Sequence, residues 1–503
     1  MNRQTAEELL WREAAEIDYL ENAKASLSWD MRVNLPPAAG EYRGEMIGFL
    51  AGQIYERKTS EKMNEILCCL EEEAAEGNSA VLSAMIRKFR REYRYLREVP
   101  PELNRECAAH ILKTEVMWRR AKAENDFPLI IPWMKREFDL LKETAAAHGY
   151  KDDPMTALMS AGDPGITREK ADRLFSELKA FLLPFLDRLR GAAVPVAKMD
   201  LVGPFSKNSQ EEFCAEILGT IGYDFSRGRI DEGAHPYTTA NDRSDIRLVT
   251  RYPEQNFLSG LISCLHEGGH AMHWQNTMPA LSGTTLEKVP YDALCESQSR
   301  FIENMIGRSY EFWEYCLPAA RRYFPQLEGT APGEIFRTLS ALNFTADRLD
   351  SDEITYNLHI MIRYEIEKLL FDGAVSFEDL PAIWSDKYAE YLGVCPENDA
   401  KGVLSDMHWY SGYAGYFQSY VMGNLYDGHF YDAMRKEIPD MYEQIRRGNF
   451  ENVTGWLKEH IQKYGGMYEP AELLKMADGE ELSAGHYIGY LREKYGKLYG
   501  LAG

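Results

Sequence analysis

Phe257-Leu-Ser-Gly-Leu-Ile-Ser-Cys-Leu-His-Glu-Gly-Gly-His-Ala-Met-His273 is the stretch from which the rest of this chain is read. Phe257, Leu258, Leu261, Ile262 and Leu265 recur at helical spacing, which places the histidines that follow on a helix. His266 and His270, four residues apart, then project from one face about one turn along the axis. Two imidazoles so placed hold one tetrahedral Zn2+, each at roughly 2.0–2.1 Å. Glu267 is turned ~100° from His266 and reaches a metal-bound water rather than the metal.

This is the HExxH arrangement of zinc peptidases, with Glu267 as general base. With 11 histidines in 503 residues the same pattern also arises by chance on a buried helix. Gly268 and Gly269 weigh against chance. Each costs about 0.8–1.0 kcal/mol relative to Ala inside a helix, and close approach of a substrate or another backbone supplies a reason. The third ligand has to come from elsewhere. His273 lies on the same stripe, but ~10.5 Å of axial rise separates it from His266, so it reads as structural or pocket-lining. Glu296, 26 residues after His270 in Tyr291-Asp-Ala-Leu-Cys-Glu-Ser-Gln-Ser-Arg300, fits better. That interval holds a loop and a second helix, and His2Glu with an open position is a catalytic zinc set. Without the upstream motif, Glu296 reads as a surface charge paired with Arg300 at i+4. Cys295 diverges from Glu296 by ~100° on the helix and is assigned to packing around the site.

Away from this stretch most of the chain has helical period. Thr5 with Glu8 forms a capping-box pattern, and Leu9, Leu10, Ile17, Leu20 and Leu27 make an apolar stripe as far as Trp29. Pro36-Pro37 breaks it, and a second helix begins near Glu41. Charged helices follow through 60–100, spaced for i,i+4 pairs, with a long amphipathic helix from Ser79 to Pro100-Pro101. Asp163-Pro-Gly-Ile-Thr167 forms a turn that caps another helix at Thr167. Between about 195 and 255 Gly and Pro become frequent. There Arg247–Tyr252 reads as a strand and, with Gly228–Thr239, predicts a small antiparallel sheet. The fold class is mostly α: one unit over 1–503, a β element at about 228–252 and metal-site helices at about 254–275 and 291–308.

Composition bounds the partners. Lys+Arg total 57 against 79 Asp+Glu, a formal charge of −22, which argues against nucleic acid or an anionic membrane surface. No run approaches the ~20 apolar residues of a membrane span, and Met1–Leu20 lacks the apolar core of a signal peptide. Eight cysteines without a CxxC pair read as reduced, mostly buried thiols of a cytoplasmic protein.

The ordered motifs resemble the carboxypeptidase Taq family of zinc metallocarboxypeptidases across essentially the whole chain. Leu27-Ser-Trp-Asp30 with Leu35-Pro-Pro37 is similar to the family's WD and MPP-like opening, and Asp163-Pro-Gly165 to its EPG turn. His235-Pro-Tyr-Thr238 resembles HPF(T), and Asp245-Ile-Arg247 with Thr250 resembles DxRxT. HEGGH and Glu296-Ser-Gln298 match the zinc motif and HESQ. Arg348 with Asp352–His359 resembles IRxxAD and its helix; Gly402–Trp409 with Gly415-Tyr-Phe417 resembles GxxQDxHW and GYF. The chain departs at Cys295, Asp347, Ser351, Ser405 and Val249, while the metal set is untouched.

The resemblance implies a zincin-like helical fold with a long central groove, zinc at its base, and a homodimer. It implies a metal-dependent carboxypeptidase that releases single residues from peptide C termini. His266, His270 and Glu296 would hold Zn2+, with Co2+ or Mn2+ also compatible with these ligands. Glu267 would be the base, and Arg348 the guanidinium that grips the peptide α-carboxylate, since Arg binds carboxylate bidentately. His408 and Tyr420 are candidates to hydrogen-bond the oxyanion; His235 lines the site, and Arg247 supports the sheet. An oligopeptidase or endopeptidase on the same fold, or a non-catalytic peptide-binding relative, are the alternatives. An intact Glu267 argues against the last, because binding alone does not need the base.

Overall fold

Asn2, not Thr5, starts the first helix: its Oδ1 accepts the Thr5 N–H at 2.9 Å, and the helix runs from Arg3 to Val33. The sequence pattern placed the cap three residues late because Asn and Thr compete for the same role. The computed structural model describes residues 1–72, 79–192, 196–233 and 235–501. Residues 73–78 of the charged stretch, Pro195 at the start of the Gly/Pro-rich stretch and Ala234 within the β region lie outside them.

Helices Gly40–Lys58, Glu61–Glu72 and Ala80–Glu98 fold back on the first one. Leu10, Ile17, Met63, Leu67, Leu82 and Phe89 form a core there, which also takes in Leu281, Leu286 and Met467. Thr167 caps its helix as the sequence predicts, and Ser79 caps the helix that begins at Ala80. The charges of 60–100 behave differently from expectation. Arg90 pairs with Glu71, Arg97 with Glu61 and Glu92 with Lys58, so among the described residues most ion pairs cross between helices rather than run along one. All eight cysteines are unpaired, but only Cys214, Cys264 and Cys316 are fully buried. No helix among the described residues is long and apolar enough to cross a membrane.

The small sheet is mixed, not antiparallel. Strands β1 (Gly228–Glu232), β2 (Tyr237–Asp242) and β3 (Asp245–Thr250) lie in the order β1-β3-β2. β2 and β3 form an antiparallel hairpin, with Tyr237 opposite Val249; β1 runs parallel to β3, with Gly228 opposite Ile246. Burial sets the strand order. Ile246, Leu248 and Val249 are fully buried on both faces of β3, which therefore takes the centre, while β1 exposes Arg229 and Glu232 and takes an edge. Trp29 of the first helix lies against the guanidinium groups of Arg229 and Arg247, at 5.3 and 4.5 Å. Arg247 also clamps Asp245 through two 2.7 Å bonds, so it supports the sheet as expected.

Helix Phe257–Gln275, here the metal helix, packs on this sheet with Asn256 as its cap. The second site helix changes pitch along its run: Asp292–Arg300 is α-helical, and it continues as a π-helix over Phe301–Gly307. Helix Gln418–Glu437 closes over it.

Candidate active site

The two glycines of the metal helix answer to neighbouring chain. A Cβ on Gly269 would lie 2.5 Å from both the Gln298 carbonyl oxygen and the Ser299 Cα, so the glutamate-bearing helix Asp292–Arg300 crosses at backbone contact. A Cβ on Gly268 would strike the Leu218 side chain of helix Lys207–Ile221. On the opposite side, Gly423 lets helix Gln418–Glu437 pack onto Glu296, whose Cβ would be 3.0 Å from an added methyl. Asp163 of the Asp-Pro-Gly turn completes the clamp: it accepts the Ala293 N–H at 2.8 Å and the Ser419 hydroxyl at 2.6 Å.

This packing brings the three expected ligands together. Their donor atoms all lie within 4.8 Å of one another. Nε2 of His266 is 3.6 Å, and Nε2 of His270 4.0 Å, from the same Oε2 of Glu296. Bonds of roughly 2.0–2.1 Å to a tetrahedral ion set ligand atoms about 3.4 Å apart, so small side-chain adjustments close the set. The donor chemistry, two imidazole nitrogens and a carboxylate oxygen, fits a divalent ion. His273 is fully buried with neither ring nitrogen bonded, and burial pushes its pKa down to about 3; it is a neutral core residue.

Electrostatics point the same way. Burial opposes protonation of His266, but the Glu303 hydrogen bond and the charges of Glu296, Glu267 and Glu303 outweigh it and push its pKa up to about 9. An imidazole that draws in a proton to balance carboxylates marks a place short of positive charge. Burial raises Glu296, with His266 and Arg300 pulling it back, and carries Glu267 up to about 7 against the opposing pull of His266 and Thr238.

Two contacts were not assigned from sequence. Thr238, on β2, places its hydroxyl 2.6 Å from Glu267 Oε2 and 3.0 Å from the Glu267 carbonyl oxygen. The quoted His235–Thr238 motif contains it, but nothing in the spacing shows which way its hydroxyl faces. Glu303 holds Nδ1 of His266 at 3.0 Å and is itself ion-paired with Arg300 and Arg308. Arg300 therefore does not pair with Glu296 at i+4; it turns to Glu303 and donates to Asn424 Oδ1 at 2.7 Å.

Arg348 sits on a 3-10 turn, Arg348–Asp350, with its side chain nearly buried. It donates to Asp406 through Nε at 3.3 Å and Nη2 at 3.0 Å, and to the Tyr356 hydroxyl at 3.1 Å. Its neighbours Asp347 and Asp350 are not its partners. Tyr420 packs its ring against the Arg348 guanidinium and puts its hydroxyl 3.5 Å from Nε2 of His408. Burial pushes His408 down to about 4, so it is neutral near pH 7, and its Nδ1 has no partner. His235 is exposed and makes no hydrogen bond or ion pair among the described residues. It precedes the strand that carries Thr238 but is not joined to the ligand set.

A second grouping, His429, Asp478 and His486, also converges. Its ring nitrogens are already engaged. His429 accepts the Ser483 N–H at Nε2 (3.0 Å), which leaves Nδ1 protonated toward Asp478 at 2.5 Å. His486 lies between Asp432 and Glu480. A hydrogen-bonded clasp explains it without an ion.

The profile of the carboxypeptidase Taq (M32) metallopeptidase family matches residues 10–495. The chain belongs to this family. It is 35% identical over 484 residues to Carboxypeptidase 1 of Bacillus subtilis, covering 96% of each chain. Against Thermostable carboxypeptidase 1 of Thermus thermophilus it is 34% identical over 500 residues, covering 96% of this chain and 97% of that one. The crystal structure of the M32 carboxypeptidase from Deinococcus radiodurans R1 superposes with a TM-score of 0.94 at 33% identity, covering 99% of this chain and 100% of that one. As an M32 metallopeptidase, the protein is a peptide hydrolase that works with a divalent metal, and the HEGGH helix and Glu296 form the grouping suited to hold it.

Proposed function

We propose that this protein is a carboxypeptidase that removes single amino acids from peptide C termini, with His266, His270 and Glu296 as metal ligands and Glu267 as general base. The observation that carries the reading is the convergence of two Nε2 atoms on one Glu296 oxygen, with Glu267 on the adjoining helical position. A divalent ion bound there would supply Lewis-acid polarisation of the scissile carbonyl and acidify a water. Glu267, steadied by Thr238, takes a proton from the attacking water and delivers it to the leaving amine.

Arg348 selects the free C terminus. Three of the five guanidinium N–H groups are taken up by Asp406 and Tyr356, which leaves two for an α-carboxylate. The cation is already positioned and counter-charged, so little reorganisation accompanies binding. Neutral His408 and protonated Tyr420, beside Arg348, act as donors to the developing oxyanion, and exposed His235 borders the substrate's approach. Zinc is the proposed metal, from the donor set and the family likeness. The unpaired cysteines favour a cytoplasmic compartment and the match over residues 10–495 favours one unit, while the homodimer rests on the family resemblance alone.

Mass analysis of peptide products tests the reading. Stepwise C-terminal shortening that stops with chelator and returns with Zn2+ is the expected result. Glu267→Gln should keep the metal and lose activity by about 100-fold to 10,000-fold. Efficient internal cleavage of a C-terminally amidated peptide would instead mark an endopeptidase.

A further inference from the structure

One imidazole in this site is held from both sides by carboxylates of a single helical run. Glu296, in the α-helical part, faces Nε2 of His266; Glu303, in the π-helical part, faces Nδ1 at 3.0 Å. The pitch changes from α to π at Phe301, within the seven residues between the two carboxylates, and both reach the same ring of the metal helix. π-turns recur where a helix must place functional side chains in this way.

Glu303 cannot itself be a ligand to the same ion, because it sits on the Nδ1 side while the other donors gather on the Nε2 side. What it does is fix the ring. A carboxylate flanked by Arg300 and Arg308 has no proton to give, so Nδ1 donates to it, and Nε2, which faces Glu296 and His270, is the nitrogen left to a metal. The ring's plane is fixed by the same bond. Arg300 is in turn held by Asn424 and lies 4.1 Å from the centre of the Tyr356 ring, so the carboxylate has little freedom to swing away.

We infer that Glu303 is a positioning residue for the metal centre, setting the tautomer and orientation of His266 so that Nε2 is presented to the ion. The inference rests on the ligand set proposed above and is separable from it. Outer carboxylates of this kind set metal affinity by about 10-fold to 100-fold.

The experiment measures zinc affinity by competition with a chromophoric chelator for the wild type, Glu303→Gln and Arg308→Met. Glu303→Gln should bind zinc about 10-fold to 100-fold more weakly. Arg308→Met removes a cation from the same buried carboxylate yet leaves its bond to His266, so it should match the wild type. Equal affinity of Glu303→Gln and wild type, or an equal loss in both variants, overturns the inference. Nitrogen NMR of zinc-loaded wild type gives a readout that needs no variant. A proton on Nδ1 of His266 with the metal on Nε2 is expected, and the reverse overturns it. Wild-type protein that takes up no zinc overturns the ligand set itself, a result distinct from all of these.

Discussion

The hydroxyl of Thr238 lies 2.6 Å from the Glu267 carboxylate, across from an edge strand to the metal helix. That bond favours the ionised base, whereas burial, the larger influence, favours the protonated one. Thr238→Val removes the donor at near-constant shape. The basic form of Glu267 would then appear only at higher pH, so the rising limb of kcat/KM against pH should shift upward. Activity at neutral pH should fall about 10-fold while zinc content stays the same. A pH–rate profile beside metal analysis reads both quantities.

Gly269→Ala and Gly268→Ala should differ although they are neighbours. The Gly269 methyl would meet backbone atoms of Gln298 and Ser299, which cannot move without carrying Glu296. We expect a loss of about 1–3 kcal/mol in stability together with weaker metal binding. The atoms nearest the Gly268 methyl belong to the Leu218 side chain, which can change rotamer, so its loss should be smaller and metal binding spared. Thermal unfolding and chelator competition distinguish the two.

Replacing Arg348 by Met tests the carboxylate grip. Asp406 keeps its bond to Arg363 at 2.5 Å, so the variant should fold. Losing two charge-assisted hydrogen bonds to substrate should lower kcat/KM on free peptides by about 100-fold or more. The advantage of free over amidated peptides should vanish in the same assay.

Glu367 gives a pH dependence of stability. It is fully buried, and burial pushes its pKa up to about 8 despite hydrogen bonds from Trp409 and the Gly415 N–H. Below pH about 4.5 folded and unfolded chains both hold the proton; between there and about 8 only the folded chain does. The unfolded state then binds fewer protons, so this group's contribution falls as pH rises across that window, by a few kcal/mol in all. Glu367→Gln mimics the protonated acid. Its melting temperature should decline less than the wild type's between about pH 5 and about pH 8.

The shared face of His266 and His270 was legible because it depends on helical period alone: i,i+4 histidines point the same way wherever the helix lies. Glu296 could be nominated since its interval suits a loop and a helix. Other features depend on what lies across the interface. Neither the parallel pairing of β1 with β3 nor the direction of the Thr238 hydroxyl is written in the strands' own residues, because both depend on how the elements come together in space. Arg300 looked like an i+4 partner for Glu296. The π-helical run that follows presents Glu303 to it instead, and such a change of helical pitch has no plain residue signature. His235 was expected beside the site on motif likeness, yet it stands in solvent with Thr238 making the contact three residues on.

Asp163 joins the start of the Glu296 helix to Ser419, and Gly423 presses the same helix from above. Both histidines and Glu296 therefore leave the ribosome well before the segment that holds them in register has been synthesised. A fragment truncated ahead of residue 419 would carry His266, His270 and Glu296 yet lack the Ser419 and Gly423 contacts that steady the Glu296 helix.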